Sequence, residues 1–471
     1  MPVEAPPSPL HLWAPLAWLP GGWREHVVAR ADADGRWAEV TAGVATPPPD
    51  AHVVDAPLLP GVVDAHSHAF QRAFVAGAET RDGEHDDFWS WRERMYDVAR
   101  RISPGQLRAV AAHLYLELLR GGYTHVCEFH YLRRDVRGRD YADPLAMSWA
   151  LAQAAADVGI GLTILPVLYE RASFATPLRD EQRRFRADAQ ETFAAAARIR
   201  AAARPLVDAG VAIHSLRAVD AGPLAEVAAH ARKISLPVHI HVAEQMQEVE
   251  DCLAHTGLRP IEWLMRHASM DARWNLVHAT HTNVTELQGV RAAGASIVIC
   301  PTTEANLGDG VFDLPGYASI GGHWSIGSDS HVARHWAEEL RLLEYSQRLQ
   351  LRQRNVAARG AGRESTAAAL FEGALNGGRA ATGQRIGAIQ AGHRADFMIV
   401  DEQSPALLGV PSDHLLDAMI FASPEPRLSD VFVAGQAVVT QGQVVGRDSM
   451  ASLWPQLAEN YRGAMNALWA A

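Results

Sequence analysis

The chain has 471 residues, 48% of them apolar, and a formal net charge of −11. That length exceeds one minimal domain and favours one large α/β unit with an appendage, or two to three ordinary domains. The acidic balance, without any long Lys/Arg run, argues against a nucleic-acid or anionic-membrane partner and leaves small-molecule chemistry as the expectation.

In chain order, the opening MPVEAPPSPLHLWAPLAWLP carries no basic cluster and is broken by prolines, and no segment reaches a membrane-spanning apolar length. Cys127, Cys252 and Cys300 are widely spaced and form no CxxC pair, which indicates neither a disulfide framework nor a thiolate zinc site. A cytoplasmic protein is expected. A β-like piece, REHVVARADADGRWAEV, precedes a Pro-rich stretch from about Thr41 to Pro60. Eight apolar runs follow: GVVDAHSH, YTHVCEFH, GLTILPVLY, GVAIHSLR, PVHIHVAE, WNLVHAT, ASIVICP and HWSIGSDSH. Helical segments such as PGQLRAVAAHLYLELLRGG lie between or after them, the pattern of βα units around a parallel sheet. Eight units over residues 59–382 predict an α/β fold with a closed (β/α)8 TIM-like barrel, and no glycine-rich phosphate fingerprint follows the first run. Beyond Gly383, GAIQAGHRADFMIVD and DVFVAGQAVVTQGQVV alternate around glycine turns and read as hairpins. Paired with the N-terminal piece they predict a small β-sandwich from residues 1–58 and 383–449, followed by a C-terminal helix over 450–471.

Catalytic groups of a barrel sit where its strands end at the C-terminal face, and this chain concentrates histidines there. His66 and His68 are two apart in DAHSHAF, so on a strand both point into the barrel mouth, a natural half-site for zinc. A bare HxH is weak evidence; the weight comes from convergence. His241 ends the fifth run, with Glu244 three residues on, His278 ends the sixth, and Asp329 ends the eighth. His239 shares the face of His241 but sits deeper, which suits packing, and His281 suits a place behind the site or facing solvent. The fourth run, AIHSLRAVD, carries His214 and Arg217 where a core has no water for charge. Arg217 presents a planar fork that fits a carboxylate, with His214 a second donor.

Taken together, PGVVDAHSH, HVAE, VHATH and SDSH resemble the amidohydrolase superfamily, in its deaminase-like branch. Within that branch HAFQRA, FWSWRERMY, CEFHY, HSLRAV, HVAEQ and CPTTEANLGDG resemble the formimidoylglutamate deiminases. The resemblance covers nearly the whole chain. It implies one Zn2+ per subunit held by His66, His68, His241 and Asp329, with Glu244, His278 and Asp329 catalytic. It implies an anionic, carboxylate-bearing small substrate, hydrolytic deimination of N-formimino-L-glutamate in histidine degradation, and a homodimer. Gln71, Arg92 and Tyr131 are carried over as substrate-binding candidates beside His214 and Arg217. FWSWRERMY is expected as a loop after the first strand, and RRDVRGR after Tyr131 as a solvated loop. Two-metal relatives bridge their ions through a lysine at the end of strand four; Lys233, the single lysine here, precedes strand five, so no lysine-bridged pair is expected. A deaminase of purine, pyrimidine or triazine rings is the alternative, against which the paired basic groups of the fourth run stand. A scaffold without catalysis would have lost ligands, and every expected metal position is filled.

Overall fold

The computed structural model describes residues 10–80, 87–424, 427–446 and 450–470. The eight apolar runs each become a strand: Val62–Ser67, Tyr123–His130, Gly161–Leu168, Val211–Ile213, Val238–Val242, Trp274–His278, Ser296–Ile299 and His323–Ile326. They pair in parallel, each with its sequence neighbours, in one continuous order. Their side chains are buried almost without exception, as in a sheet covered by helices on one face and closed on itself on the other. The fourth strand is split at Gly210, with Val207–Ala209 pairing only with the third.

Closure joins the first strand to the end of the eighth. Asp329 N–H donates to the His66 carbonyl at 2.9 Å, and His68 N–H donates to the Asp329 carbonyl at 3.2 Å. Gly327 makes that approach possible, because a Cβ there would lie 2.7 Å from His66 Cβ. Helix Pro104–Arg120 starts at a capping box between Ser103 and Gln106, and helix Thr366–Thr382 closes against the first and eighth strands.

The terminal segments combine into one nine-stranded sheet, in which Leu58–Pro60 pairs with both His11–Leu19 and Phe397–Val400. It wraps a core of its own, where Phe397 stacks on Phe432 at 4.3 Å and meets Trp37 at 5.5 Å. DVFVAGQAVVTQGQVV folds into the expected antiparallel strands Leu428–Val433, Gln436–Thr440 and Gln443–Val444. GAIQAGHRADFMIVD does not form a hairpin. Only Phe397–Val400 is a strand, because the preceding backbone is engaged by the N-terminal piece: Ala395 N–H donates to the Gly35 carbonyl, and Trp37 N–H to the His393 carbonyl. The last helix, Trp454–Trp469, packs on Pro104–Arg120. Among the described residues no helix is long and apolar enough to cross a membrane.

A buried ion pair ties the sheet to the lower end of the barrel. Arg394 donates to Asp396 Oδ2 at 2.6 Å and reaches His125 Nδ1 at 3.2 Å, while Thr124 Oγ1 and Ala434 N–H donate to the same carboxylate. Removing one partner leaves a buried charge uncompensated, which costs about 3–5 kcal/mol. Asp396→Ala should therefore lower Tm by roughly 3–5 °C in calorimetry while the metal content of the purified protein stays unchanged.

Candidate active site

His66 and His68 leave the first strand two residues apart, His241 is in the fifth, and His278 ends the sixth. Asp329 follows the eighth with φ 48°, and His278, Ala279 and Ala243 are also left-handed at 67°, 52° and 52°. Non-glycine residues hold that conformation only when their surroundings impose it, and such strain gathers at functional sites. All five side chains are buried.

Hydrogen-bond partners decide where the imidazole protons lie. His68 Nδ1 faces the Phe129 carbonyl at 2.9 Å and His241 Nδ1 faces the His214 carbonyl at 3.0 Å. A carbonyl only accepts, so both Nδ1 atoms carry hydrogen and both Nε2 atoms present lone pairs. Those Nε2 atoms are 3.3 Å apart, and His66 Nε2 is 3.0 Å from that of His241. Asp329 Oδ1 lies 3.5 Å from His66 Nε2 and 3.6 Å from His68 Nε2. Lone pairs aimed at each other across such gaps repel unless a cation lies among them. These four spacings are close to the edge of a tetrahedron with zinc-type bonds, about 3.3 Å for bonds of about 2.05 Å, while the His241 ring and the Asp329 carboxylate, on opposite sides of the set, are not in contact. Burial lowers the basicity of His66, of His241 and of His68, the last to about 3, so all three are neutral ligands at physiological pH. Burial disfavours the Asp329 charge, but its hydrogen-bonding contact with His66 and the charge on His278 outweigh it and hold the carboxyl well below its usual range. The donor set of three imidazoles and one carboxylate fits a single transition-metal ion.

Buried carboxylates hold this set from behind. Glu128 accepts from Ser67 Oγ, the Ala69 N–H and the Tyr115 hydroxyl, fixing the turn that carries His66 and His68. Asp64 accepts from Ser328 N–H and Oγ, fixing the residue before Asp329. Beside the set, His278 Nε2 lies 3.7 Å from both Glu244 Oε1 and Asp329 Oδ2, and His278 Nδ1 lies 3.2 Å from Glu304 Oε1. Burial opposes a charge on His278, and Glu244, Glu304 and Asp329 together overcome it, raising the imidazole to about 10. Burial raises the Glu244 carboxyl.

One cavity joins this centre to the substrate candidates: Gln71, Arg92, Tyr131, His214 and Arg217 all line it, with His68, His241, Glu244, His278 and Asp329. Gln71 Nε2 donates to the Tyr131 hydroxyl at 3.4 Å. His214 and Arg217 lie just past the fourth strand, which ends at Ile213, and Arg217 belongs to the short turn Leu216–Ala218. FWSWRERMY is not a loop but the start of helix Phe88–Ala99, begun by a capping box between Asp87 and Ser90. The helix carries Arg92 with its guanidinium 4.4 Å from the Trp89 ring and 5.6 Å from that of Tyr96. Arg217 lies 5.7 Å over the same Trp89 ring and, among the described residues, makes no hydrogen bond or ion pair. Nor is RRDVRGR fully solvated: Arg134 is buried and pairs with Glu191 at 2.7 Å, because the carboxylate of a neighbouring helix cap reaches it. Lys233 is exposed at the end of helix Ala221–Ile234, and His239 donates to the Ala381 carbonyl at 2.8 Å inside the core.

Tyr169, Glu304, Glu128 and Asp64 were not singled out from the sequence. Tyr169 closes the third apolar run, Glu304 stands inside CPTTEANLGDG and Glu128 inside CEFHY, so each lay within a stretch already noted for another reason.

A model described as the amidohydrolase family matches residues 58–438. The chain is 43% identical over 456 residues to a formimidoylglutamate deiminase of Pseudomonas aeruginosa, covering 95% of this chain and 98% of that protein. A solved amidohydrolase from Brucella melitensis is 40% identical and superposes at TM-score 0.89, covering 98% of this chain and 100% of that one. An adenosine deaminase from Xanthomonas campestris with bound zinc, 23% identical, shares the fold at TM-score 0.79, covering 99% and 100%. By the span of the family match and by its near-full-length relative, the chain belongs to the amidohydrolase family.

Proposed function

We propose that the protein is a zinc-dependent hydrolase that converts N-formimino-L-glutamate and water to N-formyl-L-glutamate and ammonia, with one zinc ion per chain. The observation that carries the substrate is Arg217, a buried guanidinium that touches no carboxylate, with Glu248 and Glu244 acting on it only from beyond contact, opening on the same cavity as Arg92 and His214. A buried cation left unpaired is costly unless a ligand supplies the counter-charge, and formimino-glutamate brings two carboxylates. The 43% identity to a formimidoylglutamate deiminase supports the same reading. The family resemblance also carries the expectation of a cytoplasmic homodimer.

His66, His68, His241 and Asp329 would hold the ion. When bound, zinc lowers the pKa of a coordinated water to about 7 and so supplies hydroxide at neutral pH. The chain's own groups do the rest. Asp329, with Oδ2 turned toward His278, accepts the proton released as water attacks the imine carbon. His278, kept charged by its three carboxylate neighbours, faces the oxygen on which negative charge develops. Glu244, whose carboxyl burial makes more basic, takes the second proton of the water as its oxygen becomes the carbonyl, and the protons collected by Asp329 and Glu244 pass to the nitrogen that departs. The carbon–nitrogen bond to that nitrogen breaks, ammonia leaves, and the carbonyl of the N-formyl product forms.

The zinc-loaded protein should release ammonia from N-formimino-L-glutamate far faster than from guanine or adenosine, and chelation should abolish the reaction until zinc is restored. A purine as the better substrate would overturn the assignment. Arg217→Ala should lower kcat/KM by about 2–4 kcal/mol, roughly 30- to 1000-fold, with zinc content by mass spectrometry unchanged. Metal lost along with activity would mean that Arg217 supports the centre instead of reading the substrate.

A further inference from the structure

Between the third and fourth barrel strands the chain makes a short turn, Asp180–Gln182, in which Gln182 is 1% exposed. Arg179 N–H donates to Gln182 Oε1 at 3.0 Å, which identifies the amide oxygen and leaves the nitrogen on the other side. That nitrogen has two hydrogens, and it donates to the Tyr169 hydroxyl at 2.9 Å and to the Tyr96 hydroxyl at 3.2 Å. Both phenols are thereby acceptors toward Gln182, so their own hydrogens need acceptors elsewhere. The two hydroxyls also bond to each other, which uses one of the two hydrogens. Among the described residues neither donates to a carbonyl or a carboxylate. The Tyr96 hydroxyl also accepts from the Arg179 guanidinium, so its own hydrogen goes to Tyr169, and the Tyr169 hydrogen is the one left over, on a side chain that lines the active-site cavity.

Its neighbours define what it meets. Tyr169 stands edge-on to His214 at 4.3 Å, the Arg92 guanidinium lies 5.6 Å from the Tyr96 ring, and the charges of Arg217 and Arg92 both act on the Tyr169 oxygen. Burial holds the Tyr169 phenol well above its usual value, so it stays an O–H donor beside two cations. A hydroxyl hydrogen without a partner, on a residue that lines a cationic cavity, is matched by an anionic acceptor.

We infer that Tyr169, with Gln182 as its positioning residue, donates a hydrogen bond to the substrate carboxylate that Arg92 and Arg217 attract. The inference rests on the function proposed above and adds a neutral donor to its specificity groups. Its worth lies in direction: two guanidiniums attract any anion, whereas a phenol hydrogen oriented by a buried amide favours an oxygen at one place.

The test compares Tyr169→Phe and Gln182→Glu with the wild type on N-formimino-L-glutamate and on N-butylformamidine, which has the amidine but no carboxylate. Tyr169→Phe should raise KM for the acidic substrate at least about tenfold with kcat within about twofold, and should change kcat/KM for the plain amidine less than about twofold. Gln182→Glu keeps an acceptor for Arg179 N–H but turns the amide donor into an acceptor, drawing the phenolic hydrogens inward; the same split should follow. Calorimetric binding of glutarate to the zinc-loaded proteins reads the cage without turnover, and its Kd should rise by the same factor in both variants. An unchanged KM and glutarate Kd in Tyr169→Phe, or equal losses on both substrates, would overturn the inference. If wild-type protein bound glutarate but failed to hydrolyse N-formimino-L-glutamate, the proposed function would fall while the glutarate measurements still decided the role of Tyr169.

Discussion

At the end of a closed barrel His241 Nε2 lies 3.0 and 3.3 Å from the Nε2 atoms of His66 and His68, and Asp329 Oδ1 lies 3.5 and 3.6 Å from the same two atoms, with the lone pairs of His68 and His241 forced inward by carbonyl partners. Such an arrangement is repulsive without a positive charge among its members, and much of the barrel mouth serves to hold it. The same backbone that supplies two of the ligands also closes the barrel, since the His66 and Asp329 peptide groups hydrogen bond across the first and eighth strands. Ligand geometry and barrel closure therefore cannot vary independently. Glu128 and Asp64 add buried acceptors to the turns on either side, and left-handed φ values at Asp329, His278 and Ala243 show backbone held away from its preferred wells.

Around that centre the cavity separates three electrostatic environments within a few ångströms. The metal-ligand imidazoles are kept neutral by burial, His278 is kept charged by three carboxylates, and the far wall carries Arg92 and Arg217. In a water-poor cavity each charge is felt strongly, so the order matters: cationic wall, neutral ligand set, then a carboxylate-flanked imidazole. A substrate with carboxylates at one end and an amidine at the other matches this order. A flat neutral ring would leave the guanidiniums unanswered, and a buried group left without its partner discriminates more sharply than a change in apolar contact.

Which parts of this were legible beforehand follows from how far each signal extends along the chain. Strand runs and the histidines that end them are local, so the barrel, His66, His68, His241, His278 and Asp329 could be read directly. Arg217 was legible for a different reason, as a charge in an apolar run that nothing nearby could satisfy. Helix Phe88–Ala99 was misread because tryptophans and arginines obscure its periodicity, although Asp87 and Ser90 carried the capping signal. The failed hairpin before Phe397 depended on pairing with Gly35 and Trp37, more than 350 residues away in sequence. Glu304, Tyr169 and Gln182 act through contacts between separate βα loops, which no spacing rule reports.

The aromatic setting of the two arginines explains why they can wait for a ligand. Trp89 lies under both guanidiniums, at 4.4 Å from Arg92 and 5.7 Å from Arg217, and Tyr96 gives Arg92 a second ring. Ring faces attract cations by about 0.5–2 kcal/mol, enough to offset part of the desolvation cost and too little to compete with a carboxylate. The one carboxylate within ion-pair distance of Arg92 among the described residues, Glu93 at 3.9 Å, is half-exposed and screened by water, so it leaves the guanidinium open to a buried anion. Aromatic residues keep the charges buried, oriented and available, so the same helix that shields the cavity from water also preserves its appetite for an acidic substrate.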